Sequence, residues 1–284
     1  MDISYYPGCT LHGTAHDYHD SIVAVFRGLD VNVIELDDWN CCGASSAHVM
    51  HPEAAVELPA RNLVLASERS GPLLVPCAAC YHRLKLAQAA YRERREAAFD
   101  AETVIGVEVL HVNELLVREP ILRRIRERVE VPLIGLRAVP YYGCLTVRPP
   151  VAINHPRPED PLEMDSILKI LGADVIKWSY KTDCCGGNLA MTRPDVVRRL
   201  SGKLFEAARE AGGEILVTDC PMCQANLDTR EKEIEAETGT RYDLPVVYIT
   251  ELLAVAMGLP EARAWWRKHL VDPAPLLKAK GWAA

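Results

Sequence analysis

Ten cysteines in this chain fall into two sets of one pattern. Cys9, Cys41, Cys42, Cys77 and Cys80 make the first set, and Cys144, Cys184, Cys185, Cys220 and Cys223 the second. Each set reads Cys, then Cys-Cys-Gly, then Cys-x-x-Cys. From Cys42 to Cys77 is 35 positions, and from Cys185 to Cys220 again 35. The first leg differs, 32 positions from Cys9 to Cys41 against 40 from Cys144 to Cys184. The second half therefore carries eight extra residues, expected in the loop Arg148 to Glu163 with its five prolines. A chain that repeats on this scale is expected to fold as two homologous units, each gathering five cysteines.

The flanking sequence repeats as well. Ser4-Tyr5-Tyr6-Pro7-Gly8-Cys9 parallels Val139-Pro140-Tyr141-Tyr142-Gly143-Cys144. Leu73-Leu74-Val75-Pro76-Cys77 parallels Leu216-Val217-Thr218-Asp219-Cys220, and Val109 to Leu116 parallels Val247 to Leu253. Short apolar runs predict strands at Ile3–Tyr6, Val31–Leu36, Leu73–Pro76 and Val107–His111, then at Val139–Tyr142, Val175–Trp178, Ile215–Thr218 and Val246–Ile249. Between them, helical spacing predicts Ala15–Leu29, Pro52–Ser70, Ala79–Ala98 and Asn113–Glu119. In the second half it predicts Asp165–Leu171, Asn188–Ala211, Ala225–Thr238 and Thr250–Met257. Such alternation gives an α/β fold of two homologous domains related by pseudo-twofold symmetry, each a small parallel sheet flanked by helices. The expected domains are 1–134 and 135–284, the second with the extra loop 148–163 and a tail after Pro260 that has no counterpart. The linker is placed near Glu130 to Arg137. Ligands in such folds sit at the carboxyl ends of strands, where Cys9, Cys77, Cys80, Cys144, Cys220 and Cys223 are expected.

With 49% hydrophobic and 25% charged residues the chain has the balance of a globular protein. Its net charge of -7 speaks against wholesale attraction to nucleic acid. No apolar run reaches the roughly 18 residues of a membrane span. Met1-Asp2 leads directly into an apolar strand without a basic leader, so a cytoplasmic protein with reduced thiols is expected.

Five cysteines per half are odd in number, which speaks against disulfides closed within each half. Structural zinc takes four ligands; the Cys-x-x-Cys pairs suit it, whereas a vicinal pair does not, and one thiol is left over. A polynuclear iron–sulfur cluster accounts for more, because adjacent thiolates reach separate irons. Gly43 and Gly186 would let backbone approach inorganic sulfide closely. If Cys77 and Cys220 open helices, the positive helix ends favour their thiolates. Zinc at one site stays open as an alternative.

On these motifs the chain resembles the B subunit of heterodisulfide reductase, with its duplicated CCG domain. The likeness extends to the tail, Lys268-His269-Leu270-Val271-Asp272-Pro273 and Pro275-Leu276-Leu277. It implies two noncubane 4Fe-4S clusters, one per domain, facing each other near the pseudo-twofold interface, with all ten cysteines as metal and cofactor ligands. It also implies that a disulfide is cleaved between the clusters, which makes Cys9, Cys41, Cys42, Cys144, Cys184 and Cys185 the candidate catalytic positions. Electrons would come through a small ferredoxin-like iron–sulfur subunit from a larger flavin-containing one. The chain has no nucleotide-binding GxGxxG of its own. The two CCG segments differ, Asn40-Cys41-Cys42-Gly43-Ala44-Ser45 against Asp183-Cys184-Cys185-Gly186-Gly187-Asn188, so the two sites are expected to differ in potential and access.

Weaker candidates surround the cysteines. His12, His16, His19, His48 and His51 are possible proton donors to a leaving thiolate, or simply line a helix. His155 and Lys181 are placed where a substrate carboxylate or phosphate would be met, or else on ordinary surface. Glu114 and Glu251 are expected near helix starts. Trp265 and Trp266 read as packing anchors, and Arg123, Arg124, Arg126 and Arg128 as a solvated helical face or a partner contact. The leading function is an oxidoreductase subunit that reduces or forms a disulfide, or a related sulfur-carrier substrate, within a complex. The alternative is a non-catalytic electron-transfer or docking subunit of a succinate dehydrogenase-like complex.

Overall fold

A computed structural model describes residues 1–44, 47–93 and 98–282. Ser45 of the first CCG segment and residues 94–97 of the helix expected to reach Ala98 lie outside the described residues.

The first half runs β1 (Asp2–Tyr5), α1 (Gly8–His12), α2 (His16–Gly28), β2 (Asn32–Glu35), α3 (Ala47–Met50), α4 (Ala54–Ser67), β3 (Leu73–Leu74), α5 (Ala78–Glu93), α6 (Ala101–Gly106), β4 (Val109–Leu110), α7 (Val112–Leu116) and α8 (Glu119–Arg128). The second runs β5 (Arg137–Tyr141), α9 (Glu163–Ile170), β6 (Asp174–Val175), a 3-10 turn (Gly187–Leu189), α10 (Pro194–Glu210), β7 (Ile215–Thr218), α11 (Pro221–Thr238), β8 (Val246–Tyr248) and α12 (Ile249–Ala256). The tail adds α13 (Ala262–Trp266) and α14 (Ala274–Ala279). Two four-stranded sheets result, in the orders β2-β1-β3-β4 and β6-β5-β7-β8. Every pairing is parallel. The central strands are buried on both faces, as Ile3, Ser4 and Tyr5 and all of Ile215–Thr218 are, which is the pattern of a sheet covered by helices on both sides.

All eight expected strands form, several of them shorter than their apolar runs. Leu73–Pro76 ends as strand at Leu74. Pro76 has no N–H to give the ladder, and the chain leaves the sheet there to deliver Cys77. The helix over Gly8–His12 was not expected from the sequence. Gly8 turns the chain at a φ of 69° just after the strand, and Cys9 sits in the resulting turn of helix at the carboxyl end of β1.

Local chemistry sets the helix ends. Glu114 Oε2 accepts from the His111 N–H at 2.7 Å, and Glu251 Oε2 from the Tyr248 N–H at 2.8 Å. Both are N-terminal caps, repeated in the two halves, as their positions suggested. The α11 helix opens with Cys220 at its N-cap and Pro221 in its first turn, and it closes on Gly239 at a φ of 71°.

The halves share a continuous core. Helix α2 packs on α12, where Ser21 Oγ lies 2.6 Å from Thr250 Oγ1 and the Tyr18 and Tyr248 rings stack at 3.9 Å. Trp265 and Trp266 are buried, so the tail is indeed held by its tryptophans. His269 fixes it further through Glu251 Oε1 at 2.9 Å. Of the basic run, Arg124 donates to the carbonyls of Leu29 and Asp30, and Arg128 to Asp30 Oδ2. These bonds pin α8 to the end of α2. Among the described residues no helix is long and apolar enough to cross a membrane.

Candidate metal centre

At the carboxyl ends of both sheets the repeated cysteines converge. Cys42 and Cys80 Sγ lie 3.2 Å apart, and their counterparts Cys185 and Cys223 3.7 Å apart. Cys77, at the start of α5, and Cys220, at the start of α11, are near enough that each shifts the other's titration. The two sulfur cages therefore meet across the boundary between the halves. Cys42, Cys77, Cys80, Cys185 and Cys220 are buried, whereas Cys9, Cys41 and Cys184 are exposed and Cys144 and Cys223 half-buried.

Both cages are built by the same local devices. A Cβ on Gly8 would stand 2.9 Å from Cys80 Sγ, and one on Gly143 3.2 Å from Cys223 Sγ. Positive φ and sulfur contact together leave only glycine at these two turns. Behind them, the Tyr6 hydroxyl donates to the Asn40 carbonyl at 2.8 Å and the Tyr141 hydroxyl to the Asp183 carbonyl at 2.7 Å. Each tyrosine thus pins the residue that precedes its Cys-Cys pair. Burial and then the surrounding sulfurs push both phenols upward, which keeps them neutral donors. The Gly43 and Gly186 N–H groups point at the sulfurs of Cys41 and Cys184, at 3.5 and 3.3 Å.

The donor set suits a thiolate-bound metal group. None of the ten cysteines is in a disulfide. Hydrogen bonds from Cys41 and Cys80 pull Cys42 well below the usual thiol range against the effect of burial. A bond from Cys223 lowers Cys185 in the same way. These bonds favour the thiolate form at the second cysteine of each vicinal pair. Small residues at the turns leave room beside the sulfurs, and main-chain N–H groups stand near them. Those features fit an iron–sulfur cluster.

Space around the two cages is unequal. A cavity of about 500 Å³ opens over the N-terminal cage, and one of about 40 Å³ over the C-terminal cage. The larger cavity is walled by Val49 and His48 from the first half and by Asn188, Leu189, Met191 and Met222 from the second. The exchange is reciprocal, because Ala78 and Ala79 of the first Cys-x-x-Cys line the smaller cavity. Met222, Leu189, Met191 and Val49 were not legible as site residues. Only the packing of the halves carries Met222, Leu189 and Met191 to the N-terminal cysteines.

A family model described as a cysteine-rich domain, CCG, matches residues 3–85 and again 138–228. The chain belongs to the CCG cysteine-rich domain family. Cysteine-rich domains of this kind imply iron–sulfur binding. Among curated CCG relatives, the 8-methylmenaquinol:fumarate reductase membrane anchor subunit of Wolinella succinogenes is 26% identical over 282 residues, covering 97% of this chain and 99% of that one. The B subunit of the ferredoxin:CoB-CoM heterodisulfide reductase of Methanosarcina mazei is 24% identical over 270 residues, covering 90% and 89%. A hypothetical protein from Helicobacter pylori has the same fold at a TM-score of 0.71 and 10% identity. That match covers 95% of this chain but 52% of the other, so this CCG chain spans about half of its length.

The structure corrects two expectations about charged residues near the CCG motifs. Lys181 is neither a substrate contact nor surface. It is buried, and its Nζ donates to Asp160 Oδ1, Asp165 Oδ1 and the Pro161 carbonyl at 2.8–2.9 Å. A buried ammonium needs this many partners, and it ties the proline-rich loop to the sheet. His155 faces Glu163 at 3.2 Å within that loop. His12 pairs with Glu35 at 2.9 Å, His16 with Asp20 at 3.3 Å, and His19 with the Tyr5 hydroxyl at 3.1 Å. Of the five candidate histidines, His48 is the one lining the larger cavity.

Proposed function

We propose that this chain is the redox subunit of a multisubunit reductase and works, like the B subunit of heterodisulfide reductase, on a disulfide or related sulfur substrate. In this reading the units 1–134 and 135–284 each hold one noncubane 4Fe-4S cluster, through Cys9, Cys41, Cys42, Cys77 and Cys80 and through Cys144, Cys184, Cys185, Cys220 and Cys223. The observation that carries it is the contact of the two cages at Cys77 and Cys220, beside a cavity of about 500 Å³. Clusters held there would supply electron-transfer chemistry. Reducing a disulfide takes two electrons and two protons and yields two thiols. The electrons would come from a flavin-containing and a ferredoxin-like partner in the cytoplasm, and the protein's part is to hold the groups close and shield them from water.

A second reading has one observation in its favour. The likeness to the fumarate reductase membrane anchor subunit runs the full length of both chains. It favours an electron-transfer or docking subunit of a succinate dehydrogenase-like or fumarate reductase-like complex, with zinc at one site kept as a variant.

The deciding experiment is iron, zinc and acid-labile sulfide per chain after anaerobic purification, followed by disulfide and quinol assays with the partner subunits. About eight irons and eight sulfides with disulfide turnover support the first reading. About four irons with one zinc, or electron transfer to a quinone alone, moves the assignment to the second. Zinc that resists replacement by iron and sulfide overturns both.

A further inference from the structure

The two cages carry the same five cysteines, so a metal group bound in each takes up similar room. The difference between about 500 and about 40 Å³ therefore belongs to the surroundings. At the C-terminal cage Tyr142, Leu145 and Ala78 close in on the sulfurs. At the N-terminal cage the walls run outward past the cysteines to Val49, Leu189 and Met191, into the size range of small-molecule sites, roughly 300–1,000 Å³.

The lining of the larger cavity is chemically one-sided. Among its described residues there is no Asp, Glu, Lys or Arg. Arg83, whose charge acts on Cys42, is not among them. Apart from the cysteines, the polar groups are Thr10, His48 and Asn188. The apolar character continues to the rim, where Val49 is 73% and Met191 93% exposed. Apolar side chains clustered at a pocket mouth are informative in a way that scattered ones are not. Thioethers there adapt to varied apolar shapes. An anionic substrate would give up its hydration in this cavity and meet no lysine or arginine among the described lining residues.

We propose that the cavity over the N-terminal cage binds an uncharged, largely apolar redox molecule. The proposal rests on the reading that the cages hold redox groups, and it names the chemistry of what reaches them. A neutral organic disulfide and a quinone share that chemistry; anionic disulfides are excluded.

Titration calorimetry on the anaerobically iron-loaded chain, with no reductant present, tests it with matched probes. One pair is naphthoquinone and its sulfonate, and the other is diphenyl disulfide and its dicarboxylate. The neutral member of at least one pair binds about tenfold or more tightly than its anion, which is at least ~1.4 kcal/mol. Met191→Asp and Leu189→Asp, both on exposed side chains, weaken that binding by about tenfold. Ile134→Asp, also exposed but outside the lining of both cavities, leaves it unchanged. Which neutral probe binds tells a quinone site from a disulfide site. Equal affinity for the anions, no binding of either neutral probe, or indifference to both rim variants overturns the proposal. Iron content is measured on the same samples: a chain that takes up no iron defeats the underlying reading, while intact iron without charge discrimination defeats the pocket alone.

Discussion

His111 Nδ1 lies 3.1 Å from Asp219 Oδ2, both side chains fully buried, one from each half of the chain. His111 Nε2 stands 2.9 Å from the Pro76 carbonyl, and Asp219 also accepts from Asn113 Nδ2. Pro76 precedes Cys77 and Asp219 precedes Cys220, so this pair couples the backbone beneath one cage to the other. Burial opposes charge on His111, but the Asp219 carboxylate outweighs it and raises the imidazole. Burial also raises Asp219, against the pull of His111.

Removing one partner leaves the other buried without its match. His111→Ala is expected to cost about 3–5 kcal/mol, read from urea unfolding of the anaerobic protein. The double variant with Asp219→Leu should recover a good part of that loss. A single variant as stable as the parent would mean the pair holds nothing together.

The tail makes stability depend on pH. Burial works against a charged His269, yet Glu251, Asp228 and Asp17 outweigh it and raise its pKa from 6.5 to about 9. A raised histidine stabilises fully below its unfolded value of 6.5 and ceases to as pH climbs through about 9. The urea midpoint should therefore fall across that window. His269→Gln should be less stable at pH 6 and show a flatter profile. An unchanged slope in the variant would show that His269 does not drive the effect.

Gly8 and Gly239 separate backbone strain from sulfur contact. Their φ angles are 69° and 71°, but an added Cβ meets Cys80 Sγ at 2.9 Å in the first case and nothing within 4 Å in the second. Each alanine variant bears a backbone cost of ~1 kcal/mol. Gly8→Ala should in addition lose iron from its cage, and Gly239→Ala should not. Iron per chain against folding stability checks both.

Replacing a buried cage sulfur should act on one site alone. Cys42→Ala is expected to remove about half of the iron and sulfide and to leave the spectroscopic signal of the C-terminal cage, with Cys185→Ala doing the converse. Full iron content and unaltered signals in both variants would remove the ligand assignment.

The internal repeat, the parallel α/β halves and the ten converging cysteines were legible in the sequence, because each rests on spacing along the chain. Periodic apolar runs need a covered sheet, and Gly8 and Gly143 beside Cys9 and Cys144 mark turns that only glycine fits. Strand lengths were overread, since an apolar run such as Leu73–Pro76 does not say where hydrogen bonding stops. Lys181 was misplaced because burial depends on what folds over a residue, here the loop bearing Asp160 and Pro161. Tertiary structure alone decided that the cages touch at Cys77 and Cys220 and that Leu189, Met191 and Met222 of one half wall the cavity of the other. Residues more than a hundred positions from the cysteines they serve leave no local signal. Their role exists only once two sheets have packed with their carboxyl ends together.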